Sequence, residues 1–348
     1  MGLSAAVQDD APAIPEARAG RCPVAIRFLP RVAPRRVSYA CGMPPTTVRR
    51  AWLALTLAAL AGAAAADEPA DGTTSREIRA FADAGLQSGL RQVVERLGLG
   101  PAVERRHLAL ALVDVTDAAP RLAMLNGDQM MYAASLPKIA ILLGAFVQAE
   151  RGRLVIDEPL LGEMNRMVRL SSNRDASAVL ARVGEAALVD ILTSPRYHFY
   201  DARAGGGLWV GKAYGPAAAY LRDPVSHLSH GATAYQVARF YFMLDRGLLL
   251  SPELTRQMKA VLADPGIHHK FVKGLESRPE VRLFRKSGTW RQFHSDSALV
   301  EGPNRRYVLV GLADQEEGGE WLVRLALPVD DLIDSRHPKA APGGAATP

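Results

Sequence analysis

The chain has 348 residues, 48% of them hydrophobic, with 42 basic and 36 acidic side chains and a formal charge of +6. That length and apolar content exclude a fibrous or wholly disordered protein and leave room for one large domain or two closely packed lobes. The basic excess is unevenly placed: residues 1–66 hold eight arginines and three acids, while the remaining 34 basic and 33 acidic residues nearly cancel. The charge therefore gives no support for nucleic-acid binding.

Both cysteines, Cys22 and Cys41, fall in that prefix, so the rest of the chain has no disulfide or thiol chemistry. Residues 43–66 have the pattern of a secretory signal. Met43 leads to Arg49-Arg50, an apolar stretch runs from Ala51 to Ala66, and Ala64-Ala65-Ala66 precedes Asp67. The stretch is shorter than the roughly 20 residues a bilayer-spanning helix needs. Cleavage and a periplasmic or secreted destination are expected. Residues 1–42 read as a non-native or disordered extension with Met43 as the true start. Residues 67–340 read as the functional domain, and 341–348 as a disordered tail.

In chain order, apolar residues from Ser75 to Leu97 (Ile78, Phe81, Leu86, Leu90, Val93, Val94) recur at helical spacing until Gly98 and Gly100-Pro101 stop them. His107–Asp114 and Arg121–Leu125 read as two strands joined by a turn at Thr116–Pro120. Ser135–Glu150 is apolar nearly all round, the mark of a buried central helix, and Gly152 closes it. Residues 153–265 read as mostly helical, with a Gly/Pro/Tyr-rich interruption over Tyr197–Pro224. Val281–Thr289, His294–Glu301 and Arg306–Asp314 alternate as strands, the last two joined by a turn at Gly302-Pro303-Asn304-Arg305. A final helix from Glu320 is expected to break at Pro328. The predicted class is α/β of the α+β kind: a five-stranded antiparallel sheet, terminal helices on one face, and an inserted all-helical lobe, about 139–265, on the other.

Three short motifs carry chemistry. Ser135-Leu136-Pro137-Lys138 is the only serine–lysine pair at i, i+3; Ser171-Ser172-Asn173 holds the only Ser-x-Asn; Lys286-Ser287-Gly288 is the only Lys-Ser/Thr-Gly, and Thr289 follows it. Taken singly, the two serine motifs read better as helix N-caps, and the lysine motif reads equally well as a strand end. All three in this order arise by chance on the order of once in a thousand chains of this composition. Ser135 and Lys138 are neighbours on one helix face, and Pro137 is tolerated only in a first turn. That puts Ser135 at a helix N-terminus, where free N–H groups favour an oxyanion and help hold a lysine neutral. A buried neutral lysine can take the seryl proton. Ser171 can relay a proton, and the Asn173 amide can bind both a substrate amide and the lysine. Lys286 and Ser287 would hold a substrate carboxylate, with Gly288 allowing close approach. The Thr289 and Ser135 N–H groups would form the oxyanion hole.

With these residues in this order the chain resembles the penicillin-recognising serine hydrolases, and within them the class A β-lactamase-like group, with its Ser-x-x-Lys, Ser-Asp-Asn and Lys-Thr-Gly set. The likeness runs from about Ser75 to Asp334. It implies Ser135 as the acylated nucleophile, Lys138 as its base, Ser171 and Asn173 as shuttle and substrate binder, and Lys286 and Ser287 as carboxylate clamp. The implied activity is hydrolysis of β-lactam amides through a seryl acyl-enzyme. The alternatives are a D-alanyl-D-alanine peptidase, an esterase, or a catalytically idle penicillin binder. The expected partner is a small β-lactam or peptidoglycan-peptide substrate met by a monomer, with no nucleic acid, no membrane span after cleavage, no cofactor and no metal.

Several features depart from the family pattern. Ser172 replaces the middle aspartate, Ser287 replaces threonine, and the 36-residue separation of Ser135 from Ser171 is short. No Glu-x-x-Leu-Asn segment lies between Asn173 and Lys286 to supply a deacylating carboxylate. Among Glu185, Asp190, Asp201 and Asp223, Asp201 is the best placed. His227, His230, His268 and His269 read as surface histidines, because no ligand set completes them. Gly205–Gly207 reads as a flexible loop.

Overall fold

The computed structural model describes residues 77–338. The segments read above as extension (1–42), signal (43–66) and tail (341–348) lie outside the described residues, as do Cys22 and Cys41. A 3-10 turn over Glu77–Phe81 precedes α1 (Ala84–Arg96), so the helix expected from Ser75 does not run through. Asp83 interrupts it by accepting the Leu86 N–H at 2.6 Å as an N-cap, while its own N–H donates to Leu122 O. A short helix α2 (Gly100–Glu104) leads to β1 (Leu108–Asp114) and β2 (Arg121–Leu125).

After a two-residue strand β3 (Met131–Tyr132) comes the central helix α3 (Lys138–Glu150), buried over its first eleven residues. The lobe continues with α4 (Glu158–Arg169), α5 (Asn173–Val183) and α6 (Glu185–Thr193). The expected interruption holds β4 (Tyr200–Asp201), β5 (Gly206–Gly207), β6 (Trp209–Val210) and β7 (His230–Ala232). Their pairing, β3-β7-β6 and β4-β5, gives the lobe two small sheets of its own. Gly205–Gly207 is thus the turn and return strand of a tight hairpin, and not a loose loop. Helices α7 (Ala234–Asp245), α8 (Pro252–Leu262) and the short α9 (Phe271–Gly274) return the chain to the sheet.

The strands β8 (Arg282–Trp290), β9 (Phe293–Glu301) and β10 (Arg306–Asp314) complete an antiparallel five-stranded sheet ordered β2-β1-β10-β9-β8. It is covered on both faces, which explains why β1 reads as a continuous apolar run. Ala109, Ala111 and Val113 face the helical lobe, and Leu108, Leu110 and Leu112 face the terminal helices. On the lobe side α7 packs against β1, β9 and β10. On the other side lie α1 and α10 (Gly318–Arg336).

Contrary to expectation, α10 continues through Pro328. A mid-helix proline costs about 3 kcal/mol, and tertiary contacts beyond it hold the last two turns. Val329 and Ile333 are buried, Asp330 accepts two 2.7 Å bonds from Arg305, and Tyr307 donates to the same carboxylate. Among the described residues no helix is long and apolar enough to cross a membrane.

Candidate active site

The cleft forms where the edge strand β8 meets the turn before α3 and the turn before α5. Ser135–Pro137 do not belong to the first turn of α3. They form a tighter turn ahead of it, with i→i−3 bonds from Leu136 N to Ala133 O and from Lys138 N to Ser135 O. Ala134, just before the serine, is held at a φ of 51°, a left-handed conformation that costs a non-glycine residue about 1–2 kcal/mol. The Ser135 side chain is half-buried, and its N–H donates to no partner among the described residues.

β8 approaches this turn through Gly288. A Cβ there would fall 2.6 Å from Ser135 N and from Ser295 Oγ, and closer still to Ala133 O. Only glycine permits that approach. Ser295 Oγ ties the two backbones by donating to Ala133 O at 2.8 Å.

The second motif arrives by a different local device. Ser172, not Ser171 or Asn173, is the N-cap of α5 and accepts from Asp175 N at 3.2 Å. Capping by the middle residue leaves its neighbours free to face the cleft. Ser171, at a φ of 58°, presents its hydroxyl between two lysines: 3.4 Å from Lys138 Nζ and 2.9 Å from Lys286 Nζ. Lys138 also donates to Ser171 O at 2.5 Å and to Asn173 Oδ1 at 2.8 Å. The structure thus brings Ser135, Lys138, Ser171, Asn173, Lys286, Ser287, Gly288 and Thr289 to one cleft. Ser135 Oγ itself makes no hydrogen bond among the described residues.

The electrostatics follow from burial without carboxylates. Lys138 is fully buried, and desolvation draws it down to about 7. Lys286 is held well below the ordinary lysine value, by burial first and then by the charge of Lys138. Among the described residues no carboxylate pairs with either lysine. Of the acids weighed for deacylation, Asp201 bonds His198 and the Arg203 N–H. Asp223 is buried and accepts from Tyr200 and the backbone of residues 225–228. Glu185 and Asp190 are exposed on α6. None of the four reaches Lys138.

Three residues outside the motifs, His269, Lys270 and Tyr214, also reach the cleft. His269 Nε2 shares a 3.1 Å bond with Ser287 Oγ. Burial, then the charges of Lys270 and Arg285, pull its pKa to about 4. Lys270 is buried under the strand end, donating to Gly288 O, Thr289 Oγ1 and Ser295 O at 2.6, 2.8 and 3.1 Å. Both sit on a loop pinned by Arg285, which makes a buried two-point pair with Asp296 (2.7 and 2.8 Å) and donates to Ile267 O and His269 O. Tyr214 lies with its ring centroid 4.5 Å from Lys138 Nζ. His230, at 4% exposure, is a core residue bonded to Lys212 O. The surface reading therefore fails for His230, which is buried, and for His269, which is half-buried. Among the described residues no group of three or more potential metal ligands occurs. The His268-His269 doublet was the one sequence signal near this loop.

A five-stranded antiparallel sheet, a helical lobe, and a cleft between its turns and the edge strand define a protein of the β-lactamase/transpeptidase fold. A family model described as "Beta-lactamase2: Beta-lactamase enzyme family" matches residues 164–326. The structure named PBP-A superposes with a TM-score of 0.55 at 17% identity, covering 73% of this chain and 97% of that one. A β-lactamase from Sphaerobacter thermophilus gives 0.56 at 16%, covering 74% and 99%. A variant of a class A β-lactamase of the last common ancestor of Gram-negative bacteria gives 0.55 at 20%, covering 72% and 100%. No curated protein sequence matches. The chain therefore has the β-lactamase/transpeptidase fold, and its residues 164–326 are similar to the β-lactamase enzyme family.

Proposed function

We propose that this protein is an exported serine hydrolase that takes the acyl group of a β-lactam amide onto Ser135. The observation that carries the reading is the Ser171 hydroxyl, bridged between a buried Lys138 and Lys286 beside a half-buried serine. Ser135 Oγ attacks the amide carbonyl carbon as Lys138, neutral above about 7, accepts its proton. The Ser135 and Thr289 N–H groups receive the oxyanion. Lys138 returns the proton through Ser171 Oγ to the departing nitrogen, and the C–N bond breaks to leave the seryl ester. Asn173 orients the substrate amide. Lys286 and Ser287, joined by His269, hold the substrate carboxylate, whose charge favours the Lys286 ammonium that burial alone disfavours. Water then hydrolyses the ester. Residues 67–340 are the hydrolase domain of this reading. The signal at 43–66 would deliver it to the periplasm or outside the cell, where such substrates are met.

A second reading, a D-alanyl-D-alanine peptidase or esterase, is favoured by one observation: among the described residues no carboxylate reaches Lys138 to activate a deacylating water. One experiment separates the two. Residues 67–348 are incubated with a penicillin, and intact mass is followed alongside loss of the lactam ring. Steady ring loss with little adduct supports the lactamase, and a long-lived adduct supports the penicillin-binding type. An adduct that survives Ser135→Ala, or none at all, overturns the assignment.

A further inference from the structure

We infer that Tyr214 is a positioning residue of this site, whose hydroxyl sets the Ala134–Ser135 peptide and whose ring keeps water from Lys138. This inference rests on the acylation chemistry proposed above and adds to it a residue that no motif contains. Tyr214 lies in the segment between β6 and β7, 79 residues after Ser135. Its hydroxyl donates to Ala134 O at 3.2 Å. That carbonyl and the Ser135 N–H are the two ends of one peptide group. A bond accepted at the oxygen holds the plane of the group and strengthens the N–H at its other end as a donor. The N–H is the one that finds no partner among the described residues, and the peptide follows Ala134 in its left-handed conformation. Such a conformation persists only where its surroundings over-determine it, and the tyrosine is one of the groups that do so.

The ring performs the second task. Lys138 has no exposed surface, and its polar partners are the neutral oxygens of Ser171 and Asn173. The tyrosine ring stands 4.5 Å from Nζ. An aromatic face attracts an ammonium by only about 1–2 kcal/mol when desolvated, whereas excluding water disfavours the charge by more. The ring is itself held. It packs on His230 at 4.2 Å between centroids and 35° between planes, and Tyr214 O accepts from Ser177 Oγ at 2.9 Å. His230 is fixed in turn by Lys212 O and Ser229 Oγ. The titratable groups facing Lys138 are Lys286 from β8, His230 from β7 and Tyr214, with Tyr132 from β3 beside the tyrosine. Burial holds His230 near 4 and raises both phenols, so none of these three changes charge near neutrality.

The test uses Tyr214→Phe and Tyr214→Ala in the full domain, with two readouts. The first is the rate of acylation by a chromogenic cephalosporin as a function of pH. The second, independent of activity, is the titration of 13Cε-labelled lysines by NMR, with Lys138→Met identifying the Lys138 resonance. Tyr214→Phe should slow acylation about tenfold, the worth of one hydrogen bond, and leave the Lys138 midpoint in place. Tyr214→Ala should also raise that midpoint by about one pH unit or more as water enters. If the alanine variant does not fold, Tyr214→Gln, of similar reach but polar, admits water in its place. A Lys138 midpoint that stays put or falls in the alanine or glutamine variant overturns the shielding role. A wild-type acylation rate in Tyr214→Phe overturns the peptide-setting role. Should the wild type not be acylated at all, the functional reading falls and the peptide-setting role with it, while the NMR titration still decides the shielding role.

Discussion

Burying Lys138 without a carboxylate should make the protein less stable than it could be, and the deficit should depend on pH in a way one substitution exposes. In the unfolded chain this lysine titrates near 10.5, and in the folded protein near 7. The difference corresponds to about 5 kcal/mol of unfavourable charging below pH 7. Between the two values the unfolded state holds a proton that the folded state lacks, so stability rises with pH across that window. Lys138→Met removes the cost but leaves Ser171 O and Asn173 Oδ1 without their donor, which takes back about 1–3 kcal/mol for each. The variant should therefore lose acylation, yet stay within about 2–3 kcal/mol of the wild type at pH 7. Its stability relative to wild type should fall by about 2 kcal/mol between pH 7 and pH 9. Urea unfolding of both proteins at pH 6.5, 7, 8 and 9 measures the difference, in which the titrating groups that do not feel Lys138 cancel. A difference that stays constant to within about 0.5 kcal/mol across the series would refute the claim that Lys138 is neutral in the folded enzyme near neutrality.

Three further outcomes are expected. Gly288→Ala should cost about 1–3 kcal/mol and abolish acylation, because the new methyl meets backbone at Ala133 and Ser135; a folded, fully reactive variant counts against the close-approach argument. Arg285→Met should cost about 3–5 kcal/mol by leaving Asp296 charged and buried, and Arg285→Met with Asp296→Leu should recover part of it, as thermal or urea melts will report. His269→Ala should weaken binding of a carboxylate-bearing penicillin about fivefold, one hydrogen bond's worth, since Ser287 loses its partner. With His269 drawn down to about 4, the ratio of wild-type to His269→Ala binding should stay constant as pH falls from 7.5 to 5.5, and a ratio that rises around 6.5 would show that histidine titrating normally.

The three motifs were legible because each is contiguous, and local rules tie each to a helix start or a strand. The sheet was legible because β1, β2 and β8–β10 alternate or run apolar between clear turns. Local rules misjudged the elements that distant contacts override. Arg305 and Tyr307 hold α10 past Pro328, and Asp83 breaks the first helix by capping it. His230 looks like any polar residue until β7 is placed against β3 and β6.

What the sequence by itself determined is which groups can react: a serine and lysine at i, i+3, a second serine, and a lysine before a glycine that lets two backbones touch. Tertiary structure alone decided their state. It closed Ser171 between two lysines 33 and 115 residues away, took Lys138 out of water, and set Tyr214, Lys270 and His269 around them. The reason is physical. Reactivity depends on desolvation and on through-space partners, and neither is a function of spacing along the chain.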